Sequence, residues 1–333
     1  MRRVLVTGIT GQDGSYLAER LVAEGAEVHG MVHGADAAVG EFRSRFPQVL
    51  LHEGDLADHA RLRHLVHEVA PDELYNLAGI TSVAYSWEHP TLTAELTGVA
   101  AAVLLQSALD VQIATGRTVA CIQASSSEIF GDAETSPQDE STPIRPVSPY
   151  GAAKAYAHHM AGVLRGRGLH VSSCILFNHE SPRRPETFVT RKITAAAARI
   201  AHDGRGTIRL GNLDAQRDWG WAPDYVDAMV RAARHSEAQD YVVATGVTHS
   251  VVQFAEFALR AAGFEDNWAE HIEVDTTLRR PHEAPVMVGD ASKAGTVLGW
   301  SPTVEFHEIV RRMVEHDLQP VEQWDRTTPR GLE

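Results

Sequence analysis

The chain has 333 residues, of which 44% are hydrophobic and 22% are charged, a composition typical of a water-soluble globular protein. This length predicts one large domain or two modest domains with a substantial core. The formal net charge of −14 argues against a nucleic-acid partner, because such a partner requires a basic surface. The apolar run after Met1 is too short for a signal peptide, and no run has the length of a membrane helix. We therefore expect a cytoplasmic protein without a membrane partner.

The two cysteines and eighteen histidines do not predict a metal site or a disulfide. Cys121 and Cys174 each lie inside an apolar run, which is typical of buried thiols. Closely spaced histidines, such as His64 and His67, have no cysteine or acidic cluster at ligand spacing. We therefore expect no bound metal.

The first predicted element is a strand over residues 3–7, followed by glycines spaced three apart at Gly8, Gly11 and Gly14. A helical pattern comes next and ends at Gly25. A strand, a glycine turn and a helix in this order predict a dinucleotide site. Glycines admit a pyrophosphate close to the backbone, and the helix N-terminus binds its charge. The alternative is a purely structural turn between strand and helix.

A second strand, over residues 27–32, leads to the position where the adenosine ribose of a dinucleotide is bound. An acidic residue there favours NAD, whereas arginines favour NADP. Asp36 lies close to the strand end, and Arg43 and Arg45 follow later. These residues leave the choice between NADP and NAD open.

Two further strands follow, at residues 49–51 and 73–76. The first leads to Asp55 and Leu56, which could flank an adenine. The second leads into residues 77–79, where small side chains would let a cofactor lie along the backbone or would simply allow tight packing. The repetition of strand and helix predicts an α/β fold with a doubly wound parallel sheet of the Rossmann type. Ligands bind such sheets at the C-terminal ends of the strands.

The stretch from residue 123 to residue 154 contains QASSSEIFG and SPYGAAK and predicts a catalytic wall. Tyr150 and Lys154 are four residues apart, so a helix would bring them to one face. A nearby ammonium would then favour the phenolate of Tyr150 as a proton acceptor. Ser126 and Glu128 alternate at the end of an apolar run and would supply a second acid or base. The alternative is a surface helix and a turn without catalytic roles.

After residue 177 the pattern changes to polar loops and an alanine-rich helix, which predicts a smaller C-terminal α/β substrate lobe. We expect a dinucleotide-binding domain over residues 1–177, to which some later segments return, and a substrate lobe mainly over residues 178–333. Four basic residues beside a helix start predict a diphosphate site, with solvated surface charge as the alternative. These residues are Arg183, Arg184, Arg191 and Lys192.

With these residues in view, the chain resembles the GDP-mannose 4,6-dehydratases, a family of the extended short-chain dehydrogenase/reductase superfamily, over nearly its full length. The segments that carry the resemblance are GITGQDGSYLAE, QASSSEIFG, SPYGAAKAYAHH, ILFNHESPRRPETFVTRKIT, LGNLDAQRDWG, DYVVATGVTHSV and VGDASKAGTVLGWSP. The fourth and fifth segments are more specific than the glycine motif, because they belong to this branch rather than to the whole superfamily.

The resemblance implies roles for individual residues. The catalytic residues would be Ser126, Glu128, Tyr150 and Lys154. The cofactor would contact Gly8, Ile9, Thr10, Gly11, Gln12, Asp13, Asp55, Leu56, Leu77, Ala78, Gly79, Lys154, His179 and Arg184. The GDP-sugar substrate would contact Ser126, Glu128, Asn178, Val189, Lys192, Arg217, Arg280 and Glu283.

The resemblance also implies a reaction, the conversion of GDP-mannose to GDP-4-keto-6-deoxymannose and water. The family uses a tightly bound NADP that is regenerated in each turnover, and NAD remains an alternative. Tyr150 would take the O4 proton, Glu128 would take the C5 proton, and Ser126 would help the C6 hydroxyl to leave. The protein would thus be a lyase of nucleotide-sugar metabolism and deoxysugar biosynthesis.

Two alternatives stay open beside this reading. The nearer is another nucleotide-sugar enzyme of the superfamily, such as a dehydratase, 4-epimerase or 4-reductase with a different substrate. The more remote is a non-catalytic scaffold that binds the cofactor. Incorporation of solvent deuterium at C5 separates the first from a dehydratase, and the complete set of Ser126, Glu128, Tyr150 and Lys154 argues against the second.

Four positions depart from the pattern of the family. Ser126 stands where the family usually has Thr, which keeps the hydroxyl, and Leu92 replaces a Tyr that would reach the cofactor. Residues 79–82 read GITS where the family has a small residue followed by Ala-Gln-Ser-His. His33 and Gly34 replace a pair of arginines that would serve the 2′-phosphate and a neighbouring subunit. The absence of these arginines leaves NADP and NAD both open, and we expect either a homodimer or a homotetramer.

Overall fold

The computed structural model describes residues 1–34, 37–278, 282 and 284–319. Its strands are β1 (Arg3–Thr7), β2 (Glu27–Val32), β3 (Leu50–Glu53), β4 (Glu73–Asn76), β5 (Ala120–Ser126), β6 (Val171–Leu176), β7 (Asn178–Glu180), β8 (Ile208–Leu210), β9 (Gln216–Trp221), β10 (Asp240–Val243), β11 (Thr248–Ser250), β12 (Ile272–Val274) and β13 (Val286–Met287). Its α-helices are α1 (Gln12–Ala23), α2 (Ala37–Arg45), α3 (His59–Val69), α4 (Val83–Glu88), α5 (Pro90–Thr93), α6 (Ala100–Thr115), α7 (Pro149–Gly166), α8 (Val189–Asp203), α9 (Ala222–Arg234), α10 (Val251–Ala261), α11 (Ser292–Leu298) and α12 (Phe306–Leu318).

The central sheet of the described chain has seven strands in the order β10-β6-β5-β4-β1-β2-β3, and all of its pairings are parallel. The chain builds outward from β1 to β3 and then crosses back to β4, so the strand order reverses between β1 and β4. Parallel sheets of this kind bind ligands at that reversal, at the C-terminal strand ends. The doubly wound parallel sheet predicted from the sequence is confirmed.

Both faces of the sheet are buried, which explains the continuous apolar runs of its strands. Val4 and Val6 contribute to a core with helices α1 and α9, whereas Leu5 points to the opposite core with α3, α6 and α7. This alternation follows from the two-residue period of a strand. Helices therefore cover the sheet on both sides.

A second group of elements follows β6. Strands β11, β9 and β13 form a small sheet to which β7 adds beside β9, and β12 pairs with β8. Helices α8, α10 and α12 pack around a separate aromatic core in which Trp219, Phe254 and Phe306 contact one another. Strand β10 returns to the central sheet beside β6. The proposed domain boundary at residue 177 stays a prediction.

One apolar segment differs from the sequence expectation. The helical segment Pro90–Thr115 has the length and hydropathy of a membrane span, although 56% of its most apolar window is buried inside the protein. It contains α5, a π-helical turn (Ala94–Val99) and α6. Helix α6 supplies buried leucines to the core beneath the sheet, which accounts for its apolar composition. The thiols of Cys121 and Cys174 are free and buried, as the sequence predicts.

Candidate functional site

The turn after β1, residues 8–14, forms a cradle in which Gly8 and Gly14 have no room for side chains. Gly8 has a φ of +70°, and its carbonyl accepts a hydrogen bond from the Gly11 amide at 3.1 Å. A Cβ on Gly14 would lie 2.2 Å from the Gly8 oxygen and 2.6 Å from the Ile9 Cα. A Cβ on Gly8 would lie 3.0 Å from the Ala78 nitrogen. The glycines therefore let α1 start directly against the turn.

The start of α1 suits an anion. Gly11 caps the helix without a side-chain hydrogen bond, so the side chains leave the first amide groups of α1 uncapped. These amides, together with the positive end of the helix dipole, can bind the pyrophosphate of a dinucleotide. Gly8, Ile9, Thr10 and Gly11 form the turn as predicted, and the residues present fit such a group.

The side chains of Gln12 and Asp13 form hydrogen bonds with other residues of the protein. Gln12 Nε2 donates to the His179 carbonyl at 3.0 Å, and the Ser181 hydroxyl donates to Gln12 Oε1 at 2.8 Å. His179 Nε2 lies 2.9 Å from Asp13 Oδ2, and its Nδ1 lies 2.7 Å from the Phe177 carbonyl. These contacts tie the start of α1 to the segment that follows β6.

The Asp13 and His179 pair is charged. Burial by itself opposes both charges, but the imidazolium lowers the pKa of Asp13 and the carboxylate raises the pKa of His179. Arg184 adds to the lowering of the Asp13 pKa, so it lies within electrostatic reach of the turn. His179 also stacks on Tyr225, with 4.5 Å between ring centres. No sequence signal marked Tyr225, because α9 approaches only in the tertiary structure.

The end of β4 lines the same site. Residues Leu77, Ala78 and Gly79 are partly buried directly after β4, and Gly79 has a φ of +145°. A Cβ on Gly79 would meet the Thr97 hydroxyl at 3.0 Å. The structure thus supports both interpretations of these small residues, since they pack tightly and also leave the backbone accessible beside the turn.

Asp55 and Leu56 follow β3 at the same edge of the sheet. The Asp55 carboxylate accepts a hydrogen bond from the Ala57 amide at 2.9 Å and lies 3.8 Å from His33 Nδ1. The His33 side chain is 79% exposed at the end of β2. Asp36, which entered the cofactor choice, lies outside the described residues.

The predicted catalytic wall forms where β5 ends and α7 begins. Ser126 is the last residue of β5, and its hydroxyl accepts a hydrogen bond from the Glu128 amide at 3.3 Å, at the start of a short 3-10 turn. Ser148 caps α7 by accepting from the Gly151 amide at 3.0 Å, and Pro149 occupies the first helical position. This cap places Tyr150 in the first turn of α7.

The Tyr150 phenol is held beside the end of β5. The start of α7 packs directly on the turn that contains Glu128, since a Cβ on Gly151 would lie 2.5 Å from the Glu128 carbonyl oxygen. Burial raises the pKa of Tyr150 to about 12, the Ser126 hydroxyl acts to lower it, and the charge of Glu128 raises it further. This direction is opposite to the lowering that the sequence predicts from a neighbouring ammonium. The buried Ser86 hydroxyl accepts from the Tyr150 amide at 3.2 Å, a contact that no sequence pattern predicted.

Lys154 lies one turn further along α7, on the same face as Tyr150. Its Nζ is 5.9 Å from the centre of the Tyr150 ring and donates to the Ala124 carbonyl at 2.8 Å. Burial lowers the pKa of Lys154 to about 8, and Asp13 acts in the opposite direction. The spacing in YGAAK therefore brings the two side chains together as predicted.

The cluster of four basic residues does not form a single anion site. Arg183 stacks on Tyr16 and pairs with Glu19 at 2.5 Å. Arg191 is buried and pairs with Asp317 at 2.5 Å. The prediction is wrong for these two arginines, because partners distant in sequence hold them inside the protein.

The other two basic residues of the cluster lie apart. Arg184 lies 3.4 Å from Glu180 and stacks on the Phe188 ring, with its guanidinium carbon 3.8 Å from the ring centre. Lys192 Nζ donates to the Arg209 carbonyl at 2.8 Å and borders a cavity of about 430 Å³. This cavity lies between α8, β8 and the segment after β12. Its charged lining residues are Lys192, Arg199, Asp203, Arg205, Arg209 and Asp275.

Three more of the predicted substrate residues lie at the start of β7, at the start of α8 and in β9. Asn178 begins β7 directly after the central sheet, and Val189 begins α8 with 38% exposure. Arg217 lies in β9, where it is buried and donates to the Gln216 carbonyl at 2.8 Å. Arg280 and Glu283 lie outside the described residues.

The chain is similar to known proteins over nearly its whole length. The sequence profile of a family described as GDP-mannose 4,6 dehydratase matches residues 5–313. GDP-mannose 4,6 dehydratase 1 of Arabidopsis thaliana is 43% identical over 325 residues, which cover 95% of this chain and 89% of the relative. GDP-mannose 4,6 dehydratase of Homo sapiens is 41% identical over 340 residues, with coverages of 95% and 91%.

Solved structures share the same architecture. UDP-glucose 4-epimerase of Thermus thermophilus, solved in complex with NAD, superposes with a TM-score of 0.80 at 27% identity. The match covers 95% of this chain and 98% of the epimerase.

Proposed function

We propose that this chain, which belongs to the GDP-mannose 4,6-dehydratase family, converts GDP-mannose to GDP-4-keto-6-deoxymannose and water with Tyr150, Glu128 and Ser126 as its proton-transfer groups. One observation carries these roles: Ser126 ends β5, Glu128 follows in the adjoining 3-10 turn, and the start of α7, which contains Tyr150, packs on that turn. A dehydratase needs two separate proton acceptors, one for O4 and one for C5, whereas a 4-epimerase needs only the first. The carboxylate beside the phenol supplies the second acceptor and therefore favours dehydration.

Tyr150 acts first in the proposed mechanism, by taking the proton from the O4 hydroxyl of the sugar. A bound nicotinamide cofactor would supply the acceptor for the C4 hydride and the donor of the hydride at C6, and its oxidised form would add positive charge near the phenol. Lys154 would bind the nicotinamide ribose, since its ammonium stands one helical turn from Tyr150 and is held at the Ala124 carbonyl. Loss of the O4 proton and of the C4 hydride converts the C4 alcohol to a ketone.

Glu128 and Ser126 act next, because the ketone at C4 makes the C5 proton acidic. Glu128 removes that proton, the C6–O bond breaks, and the departing hydroxyl takes a proton delivered through the Ser126 hydroxyl, so that water leaves. A hydride then adds at C6 and a solvent-derived proton adds at C5. Substrate and product are at the same overall oxidation level, so the reaction needs no external oxidant or reductant.

The nucleotide part of the substrate would lie toward α8. Asn178 begins β7, Val189 begins α8, Arg217 lies in β9, and Lys192 borders the cavity of about 430 Å³. Lysine and arginine side chains in such positions suit a diphosphate in a protein whose net charge is negative. We therefore propose these four residues as contacts of the GDP group.

We propose NADP as the cofactor, with NAD as the alternative, because the resemblance to the GDP-mannose 4,6-dehydratases implies NADP. The end of β2 does not add to this argument, since the exposed His33 stands there instead of the arginines that commonly bind a 2′-phosphate. Calorimetric titration of cofactor-free protein with NADP and with NAD decides between them. A tighter affinity for NAD would overturn the choice of NADP.

We also propose that the chain assembles as a homodimer through α7 and the π-helical turn before α6. Val99, Tyr156 and Val163 are 39%, 47% and 57% exposed on these neighbouring elements. Helical faces of this kind commonly pair with a second copy. Light scattering coupled to gel filtration measures the assembly, and a monomer would contradict the proposal. A homotetramer and a cytoplasmic location stay predictions.

Solvent exchange tests the dehydratase assignment directly. Purified protein incubated with GDP-mannose in heavy water should release 4-keto-6-deoxy product with deuterium at C5, measured by mass spectrometry and NMR. A 4-epimer, or product without deuterium at C5, would contradict the assignment. This measurement depends on the reaction and not on the identity of the nicotinamide cofactor.

A substitution of Glu128 tests the second proton acceptor. Glu128→Gln should allow oxidation at C4 but stop elimination, so the absorbance of the reduced nicotinamide should accumulate upon addition of GDP-mannose. Glu134→Gln is the matched control, because Glu134 is an exposed carboxylate paired with Arg145 and should leave turnover unchanged. Normal turnover by Glu128→Gln would remove Glu128 from the mechanism.

A further inference from the structure

The Ala124 carbonyl, at the end of the central sheet, accepts two hydrogen bonds from buried side chains. Lys154 Nζ donates to it at 2.8 Å, and Gln123 Nε2 donates to it at 3.0 Å. A carbonyl oxygen has two lone pairs, so these donors occupy both. The position of the Lys154 ammonium therefore depends on which lone pair Gln123 already occupies.

Gln123 is itself fixed by a row of polar side chains across three neighbouring strands. Thr7, Asn76 and Gln123 are register partners on β1, β4 and β5, and all three are buried. The Thr7 hydroxyl donates to Asn76 Oδ1 at 2.8 Å, and Asn76 Nδ2 donates to Gln123 Oε1 at 2.8 Å. At the far end, the Ala78 amide donates to the Thr7 hydroxyl at 3.2 Å.

Backbone chemistry at the two ends fixes the orientation of every group in this row. The Ala78 amide can only donate, so the Thr7 hydroxyl must pass its own hydrogen onward to an oxygen of Asn76. Asn76 then presents its NH₂ group to Gln123, which must offer its oxygen there and its own NH₂ group to the Ala124 carbonyl. A flipped Gln123 amide would place two oxygens together. All donors thus point toward the carbonyl that holds Lys154.

We propose that Gln123 is a positioning residue for Lys154. Held by the polar row that begins at Thr7, next to the turn after β1, Gln123 confines the Lys154 ammonium to one lone pair of the Ala124 carbonyl. This inference rests on the proposed function only in that Lys154 binds the cofactor. Ala78 and Thr7 adjoin the predicted cofactor path, so the row links the strand ends that line the cofactor to the lysine that would bind its ribose. Hydrogen bonds aligned in one direction strengthen one another, which makes the arrangement rigid.

Gln123→Met and Gln123→Glu test this role in the intact protein. Gln123→Met keeps the length of the side chain but removes the amide, so Lys154 can move between the two lone pairs. We expect kcat to fall roughly tenfold to a hundredfold, in line with a displaced catalytic group. The KM for GDP-mannose should stay nearly constant, while the Kd for NADP rises.

Gln123→Glu supplies a readout that a merely structural role would not move. A protonated carboxyl group can accept from Asn76 and donate to the Ala124 carbonyl, as the amide does, whereas a carboxylate cannot donate. NADP affinity and kcat of Gln123→Glu should therefore recover as the pH falls, relative to the unsubstituted protein at each pH. Recovery would also show that the variant is folded, should Gln123→Met fail to fold.

Gln138→Met is the matched control. Gln138 is an equally buried glutamine that donates to the Thr135 carbonyl and accepts from the Val288 amide. This variant should lose stability while its kcat and its Kd for NADP stay close to those of the unsubstituted protein. The proposal is overturned if Gln123→Glu shows no recovery at low pH, or if Gln138→Met lowers kcat and raises the Kd for NADP as Gln123→Met does. Failure of the deuterium experiment would instead count against the dehydratase assignment, because NADP binding is measured without GDP-mannose.

Discussion

Gly14→Ala is the sharpest test of the cofactor cradle, because the added Cβ would meet backbone atoms rather than flexible side chains. It would lie 2.2 Å from the Gly8 oxygen and 2.6 Å from the Ile9 Cα, and contacts below 3.0 Å are essentially never observed for a real Cβ. The start of α1 would have to move by at least about 0.8 Å away from the turn. Overpacking of this kind costs about 1–3 kcal/mol of stability.

The displacement should also weaken cofactor binding, because it moves the amide groups at the start of α1. A shift of about 1 Å in a positioning element can cost roughly a hundredfold in activity, so we expect the Kd for NADP to rise by about that factor. Calorimetric titration measures the Kd, and urea unfolding followed by circular dichroism measures the stability.

Gly40→Ala is the control for Gly14→Ala. Gly40 lies in α2, where an added Cβ has nothing within 4 Å, and Ala in a helix is favoured over Gly by about 1 kcal/mol. This variant should keep its Kd for NADP and gain slightly in stability. The reasoning is refuted if Gly14→Ala binds NADP as tightly as Gly40→Ala does.

Two further outcomes follow from the charges of the site. Asp13→Asn should cost about 3 kcal/mol of unfolding free energy, since it leaves His179 without its partner in a largely buried pair. In the unsubstituted protein this stabilisation is present only between two pH limits. It disappears as the pH falls through the lowered pKa of Asp13, and it disappears as the pH rises through the raised pKa of His179. Asp13→Asn removes the same stabilisation. Urea unfolding across the pH range measures this, and an unchanged stability profile would contradict the pairing. Burial lowers the pKa of Lys154 to about 8, so NADP affinity should fall above that pH, whereas Lys154→Met should bind weakly at every pH. Equal pH dependence in both proteins would exclude Lys154 as the titrating group.

The sequence was sufficient to predict the central sheet and the side chains that its local pattern places together. Apolar runs buried on both faces indicated parallel strands, and the glycine spacing indicated the turn before α1. The four-residue spacing of Tyr150 and Lys154 needed only a helix to bring both to one face. In each case the information lies within a few residues of the chain.

Contacts between distant segments could not be predicted in this way. The arginine cluster divides because Arg183 pairs with Glu19, 164 residues away, and Arg191 pairs with Asp317, 126 residues away. The pKa of Tyr150 is likewise raised by burial, which local spacing does not reveal.

The sequence by itself determined the fold class, the turn and the closeness of Tyr150 and Lys154, because hydrophobic period, glycine conformation and helical spacing are local properties. Only the tertiary structure decided which charges are neutralised, how far the phenol is removed from water, and that Thr7, Asn76 and Gln123 form one row. The physical reason is that burial, ion pairing and strand register depend on the approach of segments far apart in the chain.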